Sequence, residues 1–553
     1  MIQDKNRIFD GWLTLEGGVD AGRAPEALDP NQCQSAINMT FRGGNATTRP
    51  GIRKLVESLP DLPRQIFVYN QPFDSTLVHR VEGEYTGVEG AALVVNPAPP
   101  PEWIVPANLD PSEVVYRTGI MQCASAYSPH NGQDCIMAMI GGRLFRITPH
   151  VTTADVIEIE IENNGRADET QIPTPITLKA GKNLRNDKNQ PIAYMVQADK
   201  WMVIQDGISS AIIYDGKKAR RSNTTGTVDE TEIPVGTILA YGMGRICTVV
   251  NKRDIAFGDL FGSHDTPDPA DSLILFTERN FLAEGFDASI PFHQGIATGM
   301  AFFPQLDTST GNGQLMVFAE RGANSFFLNI DRELWKTSQF QILALATTGL
   351  RGDRSISAVN EDLWFRSDDG MRSYRQARSE SSGWAHIPLS TNVKQYLGND
   401  ADFLLRYASS IYFDNRIICT TSPMWNQGRP SHMGLIVVDF DIISSFNGQA
   451  ISQQVDRPAW EGFWFTPQFQ PVQVLTGIFE GKTRAFCFGI DNSGQNQLYE
   501  FSVDDKDDFD DEKIPWQLTS RAFDFQKLQQ GSSSIFNENE IYDADIWLRD
   551  IVE

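Results

Sequence analysis

Apolar residues recurring at helical spacing over three or more turns are scarce in this chain, and no apolar run approaches the roughly 18 residues a membrane-crossing helix requires. An all-helical bundle and a helical membrane span are both excluded. The first residues, MIQDKNRIFD, lack the basic-then-apolar order of a secretory signal. Synthesis in a reducing cytoplasm is therefore expected. The six cysteines, Cys33, Cys123, Cys135, Cys247, Cys419 and Cys487, form no C-x-x-C pair, and the seven histidines do not join them at ligand spacing. We expect buried free thiols, no metal and no cofactor.

A basic excess is also missing: Lys and Arg number 47 against 71 Asp and Glu, a formal charge of -24 over 553 residues. Gripping a nucleic-acid backbone needs the opposite balance, because affinity comes from displacing counterions with cationic side chains. Two readings remain: a wall past which DNA slides without sticking, or the ordinary acidity of a soluble protein.

Catalytic signatures are lacking too. There is no G-x-S-x-G elbow, no H-E-x-x-H and no P-loop, and Gly242-x-Gly244 lacks the third glycine of a dinucleotide fingerprint. Ser367-Asp-Asp-Gly370 approaches a sialidase box but its glycine falls one place early, and the box does not repeat. The acidic run from Asp504 to Glu512 has no glycine at the sixth position of a calcium loop and reads as a solvated, self-repelling segment. Arg351-Gly352-Asp353 matches an adhesion tripeptide that arises easily by chance, and no function is assigned to it. An enzyme is not expected, and a carboxylate-pair hydrolase stands third among the readings.

What is present is a succession of short apolar runs separated by turn dipeptides. Cys135 to Ile140, Gly141-Gly142 and Arg143 to Ile147 read as a tight hairpin, and Val156 to Glu162 alternates so that its isoleucines share one face. Similar groups follow at Trp201 to Tyr214, Ile238 to Phe257, Gln314 to Ile330, Ser355 to Phe365, Ser410 to Phe440 and Val472 to Val503. Units of about forty residues built this way indicate an all-β, β-propeller-like fold, with a pair of β-sandwiches as the competing architecture. The expected organisation is an extended Gly/Pro-rich segment at 1–60, an irregular β and loop segment at 61–120, a propeller at 121–503, and an acidic loop with closing or partner-pairing strands, Trp516 to Phe525 and Ile541 to Val552, at 504–553.

The segment Glu16 to Gly51 is punctuation with almost no core of its own: Gly17-Gly18, Pro25, Leu28, Asn38, Gly43-Gly44 and Arg49-Pro50-Gly51. Fixing each residue costs about 1–2 kcal/mol of backbone entropy, so its order must come from a partner. The pattern "Gly-Gly, Pro-x-x-Leu, Gln, Ala-x-Asn, Gly-Gly, Arg-Pro-Gly" resembles the amino terminus of tail-nozzle and stabilisation proteins of short-tailed bacteriophages. Thr347 to Ser373, with Trp364-Phe365, Asp369-Gly370 and Arg372-Ser373, is similar to a blade of phage propellers. The resemblance implies a virion structural protein: copies of itself in a ring, portal, adaptor or other tail proteins as neighbours, and viral DNA passing without specific binding. It makes the glycine-rich segment an assembly tie, with Arg49 a candidate for a charge-assisted bond to a neighbour. No large separate C-terminal domain is evident, a departure that favours a neck, hub or plug role.

Trp425, Trp460 and Trp464 lie among Pro423, Pro430 and Pro458 and read either as core or as partner-contact aromatics. In the second case they serve the alternative function, a receptor-binding propeller recognising host surface glycans.

Overall fold

The computed structural model describes residues 14–55, 66–70, 75–81, 84–86 and the greater part of 121–522. The proline-rich residues 97–101, residues 261–271 and the strand-like run at 541–552 lie outside the described residues. The chain is a seven-bladed β-propeller, as the strand spacing predicts, and not a pair of sandwiches.

Blade 1 holds Met121–Tyr127, Cys135–Ile140, Arg143–Pro149 and Ala154–Ile159. Blade 2 holds Tyr194–Ala198, Trp201–Gln205, Ile212–Tyr214 and Ala219–Arg221, with Ile161–Glu162 added in parallel at its rim. Blade 3 spans Leu239–Gly242 to Phe286–Ser289, blade 4 Ala297–Phe302 to Gln341–Leu345, and blade 5 has, among the described residues, three strands, Ser357–Val359, Asp362–Arg366 and Met371–Ser373. Blade 6 comprises Ser410–Phe413, Arg416–Thr420, Gly434–Asp439 and Ala459–Phe465; blade 7 comprises Phe469–Phe479, Lys482–Asp491 and Asn496–Ser502. The first strand of each blade lies innermost, and the first strands of blades 7 and 1 meet to close the ring.

Local chemistry makes the hairpins. Met243-Gly244, Asp414-Asn415 and Glu480-Gly481 all have positive φ, the two-residue turn whose twist matches that of the strands it joins. The core is distributed: each of seven apolar clusters lies between neighbouring blades, so the blades are stabilised sideways rather than each by itself. Phe365 packs on Phe318 of blade 4 at 5.0 Å and Trp364 on Phe440 beyond blade 6 at 5.2 Å, filling the spaces between blades as expected. All six cysteines are buried and free.

The run 156–162 departs from expectation. It breaks after Ile159 and its last two residues cross to blade 2; Ile159 packs on the cluster between blades 1 and 2, whereas Ile157, on the same face of this outermost strand, is 55% exposed.

Candidate functional site: the strap seam and the axial cluster

The glycine-rich segment finds its partner inside the chain. Gly51–Lys54 is the fourth, outer strand of blade 7, antiparallel to Asn496–Ser502, and Ser35–Ile37 lies at the rim of blade 6 between Ala459–Phe465 and Gln517–Thr519. The residues before blade 1 thus complete the last two blades and strap the ring shut. Leu55 packs into the cluster between blades 7 and 1.

Each punctuation residue has a physical reason. Gly18 sits at φ +64°, and a Cβ there would stand 2.6 Å from the Trp460 carbonyl. Gly462 answers it at φ +91°, where a Cβ would stand 2.4 Å from the Ala36 carbonyl, so strap and blade approach backbone to backbone. Asn38 is fully buried in the left-handed region at φ +56°. Its Oδ1 accepts from the Phe465 N–H at 2.7 Å and the Arg49 Nε–H at 3.0 Å, and its Nδ2 donates to the Pro515 carbonyl at 2.7 Å. Arg49 is buried and donates both Nη groups to Asp508, at 2.9 and 2.5 Å. Leu28 and Gly44 are buried and Pro50 partly so; Gly17 and Pro25 are half-buried and Gly43 is exposed.

The charge-assisted bond expected of Arg49 is therefore made within the chain. Asp508 likewise corrects the reading of the acidic run as a solvated loop: at this residue the run turns inward, because the buried guanidinium requires a carboxylate.

A second ionic cluster lies on the same seam. Arg42 of the strap reaches Asp439 at 2.6 Å, Asp414 at 2.7 Å and Asp441 at 3.2 Å. Arg416 reaches Asp414 at 2.5 Å and Glu461 at 3.2 Å and donates to the Thr40 hydroxyl at 3.0 Å, while Thr40 donates to Glu461. Two guanidiniums face four carboxyl groups. Burial, reinforced by Asp439 and opposed by Arg416, pushes the Glu461 carboxyl up to about 8.

The axis carries another set of charges. Two connectors cross it at the face where the innermost strands begin. One, between blades 4 and 5, carries Asp353 and Arg354; Arg354 Nη2 donates to the Gln122 carbonyl of blade 1, half-way around the ring. The other, Asp402–Tyr407 between blades 5 and 6, inserts Leu404 among Cys123, Tyr127 and Met202 of blades 1 and 2. The connectors stack directly: a Cβ on Gly352 would stand 2.6 Å from the Arg406 carbonyl. Asp353 Oδ1 accepts from the Met300 N–H at 3.1 Å, and burial pushes its carboxyl up to about 7 and holds the Arg354 guanidinium below its usual range.

No family model and no curated protein matches the chain. Among solved structures it is similar to BBS1N in its complex with ARL6DN (10% identity, 70% of this chain and 97% of that one, TM-score 0.36). It is also similar to the computationally designed Ika8 protein (9% identity, 81% of this chain and 99% of that one, TM-score 0.34).

The aromatic cluster is corrected by burial. Trp460 and Trp464 are interior, their indole N–H groups donating to the Leu389 and Met39 carbonyls at 3.1 and 3.3 Å, because the strap covers the rim of blade 6. They are core and not exposed contacts. Trp425 is in a short ladder with Pro430, and its side chain lies outside the described residues. The axial cluster has no signature in the sequence because it hides in Arg351-Gly352-Asp353-Arg354; Gly352 is buried and Arg351 is engaged by Asp368, so the tripeptide is not displayed.

Proposed function

We propose that this chain is a structural component of a phage virion tail, in a nozzle, neck or hub, and that copies of it form a ring through which DNA leaves. The reading starts from the resemblance carried by Glu16 to Gly51. The observation that supports it best is the strap, which locks residues that precede blade 1 into the last two blades through buried ion pairs. Such a closure suits a part that must keep its shape under load.

Because the two connectors with Arg354 and Leu404 cross the propeller axis, the DNA path of this proposal runs between copies and not along that axis. The strap would serve assembly through its exposed face, where Glu26, Asp29, Gly43 and Asn45 lie, while its other face holds the blades. Deleting the strap is no test of assembly, since it would strip the rims of blades 6 and 7 and take the fold with it.

The test is light scattering on the purified chain alone and mixed with tail-fraction proteins, followed by particle imaging. A closed ring with an axial hole, lost when Asp29→Lys and Asn45→Lys are combined while thermal unfolding is unchanged, is the expected result. A monomer under all of these conditions would end the ring reading. The glycan-binding alternative has lost Trp460 and Trp464, and no other observation favours it.

A further inference from the structure

The most exposed large apolar side chain among the described residues is that of Phe292, at 82%. It is held in place. Its connector, between blades 3 and 4, is sewn to a turn of each blade: the Ala297 N–H donates to the Lys252 carbonyl at 2.8 Å, the Ile290 N–H to the Arg253 carbonyl at 3.1 Å and the Arg321 N–H to the Gln294 carbonyl at 3.0 Å. The Arg253 guanidinium donates to the Gly295 carbonyl at 2.9 Å and backs the Phe292 ring, 4.6 Å from its centre. With Ile296, 37% exposed, the ring makes an apolar knob. Beside it Lys252 and Arg321 are exposed and form no ion pair among the described residues, while the nearby carboxylates are taken up by the protein's own donors, Glu320 by the Ile296 N–H and Asp254 by Asn251 and Ser289.

The opposite face carries a counterpart. The knob lies where the innermost strands begin; the turn after Phe469–Phe479 of blade 7 and the turn between Arg143–Pro149 and Ala154–Ile159 of blade 1 lie where they end. On these turns Val151 is 64% and Ile478 60% exposed. The two turns meet, since Arg484 donates to the His150 carbonyl at 2.8 Å and the His150 ring stands 4.0 Å from Glu480. Exposed Asp155 and Glu480 flank this apolar patch, with Lys482 next to them. An apolar knob framed by cations and an apolar patch framed by carboxylates are complementary, in a chain whose copies otherwise repel at a formal charge of -24.

We propose that a second copy of this chain docks head to tail, the knob of Phe292 and Ile296 on one copy resting on the patch of Val151 and Ile478 on the next, with Lys252 and Arg321 facing Asp155 and Glu480. A contact between two different faces is heterologous and repeats from copy to copy. It does not involve the strap, and it stands independently of the assembly proposal.

The full chain is followed by sedimentation over a range of concentrations, at low and at raised salt. We expect self-association that weakens as salt rises. Phe292→Asp and Ile478→Asp, each checked by thermal unfolding, should each weaken it about tenfold or more. Mixed together they should recover a single contact, because the intact patch of the first variant receives the intact knob of the second, and assembly stops at a pair. Should either variant unfold, Lys252→Glu combined with Arg321→Glu replaces the first and Val151→Asp the second in the same mixing experiment. A parent chain that stays monomeric, association unchanged in either folded variant, or a mixture that forms no pair would overturn the proposal.

Discussion

Arg49 and Asp508 stand 459 positions apart and meet in a two-pronged ion pair, both Nη groups of the arginine on the two carboxylate oxygens at 2.9 and 2.5 Å. Asp508 also accepts the Ile52 N–H at 2.9 Å, so one carboxylate fixes both the side chain and the backbone of the strap as it enters blade 7. Removing one partner leaves the other charge buried without a counter-ion, a loss of about 3–5 kcal/mol. Arg49→Ala and Asp508→Ala should each lower stability to denaturant by that order, and the double variant should cost clearly less than the sum. Strict additivity would show that the pair is not coupled.

Gly18 and Gly43 make a controlled comparison. Both have positive φ, but a Cβ on Gly43 would meet nothing within 4 Å, whereas one on Gly18 would strike the Trp460 carbonyl at 2.6 Å. Gly43→Ala should cost only the left-handed penalty of about 1–2 kcal/mol. Gly18→Ala should cost visibly more and should also raise amide exchange in the strand Ala459–Phe465. Equal losses would mean that the strap gives way at Gly18.

Much of this arrangement is legible in the order of residues alone. Short runs between turn dipeptides announce blades, and Trp364-Phe365 beside an Asp-Gly turn announces a blade interior. Gly18, Asn38 and Arg49 mark the strap as an ordered segment in search of a partner. The identity of the partner is not legible. Asp508 lies in a run of acids that looks solvated, and Ser35–Ile37 is a three-residue strand with no periodicity to read. Pairings across more than four hundred positions leave no local pattern. The axial arginines are unreadable for the same reason, since only ring closure brings Arg354 to Gln122.

Glu461 makes seam stability depend on pH. In the unfolded chain a glutamate ionises near 4.3, about its ordinary value. In the folded chain its proton is retained to about 8, because burial and Asp439 outweigh Arg416. Between those values folding takes up a proton, so this residue's contribution falls as pH rises from about 5 to about 8. Thermal unfolding followed across that range should show a smaller decline in Glu461→Gln, whose amide still accepts from Thr40 and cannot ionise. An identical pH profile for variant and parent would remove Glu461 as the titrating group.

Gln473 is the hydrogen-bonded joint between the last blade and the first. From the innermost strand of blade 7 its Oε1 accepts the Ala124 N–H at 3.0 Å and its Nε2 donates to the Ala124 carbonyl at 2.7 Å, so one amide side chain stands in for a ladder partner on blade 1. Gln197 does the same for Ser128 between blades 2 and 1, both bonds at 2.9 Å, but at an exposed position where water can substitute. Gln473→Ala strands two buried backbone groups at about 1–3 kcal/mol each, and Gln197→Ala should cost well under 1 kcal/mol, roughly the worth of a solvent-exposed bond. Because the other contacts among the described residues between blades 7 and 1 are apolar packing, the bond of Arg484 to the His150 carbonyl and the approach of His150 to Glu480 at 4.0 Å, the loss should appear locally. Hydrogen exchange should speed up in Met121–Tyr127 and Phe469–Phe479 of Gln473→Ala while blades 3 and 4 keep their protection. Uniform acceleration through all seven blades would mean that the ring opens as a single cooperative unit with no weakest joint. Unchanged exchange would mean that packing alone holds the closure.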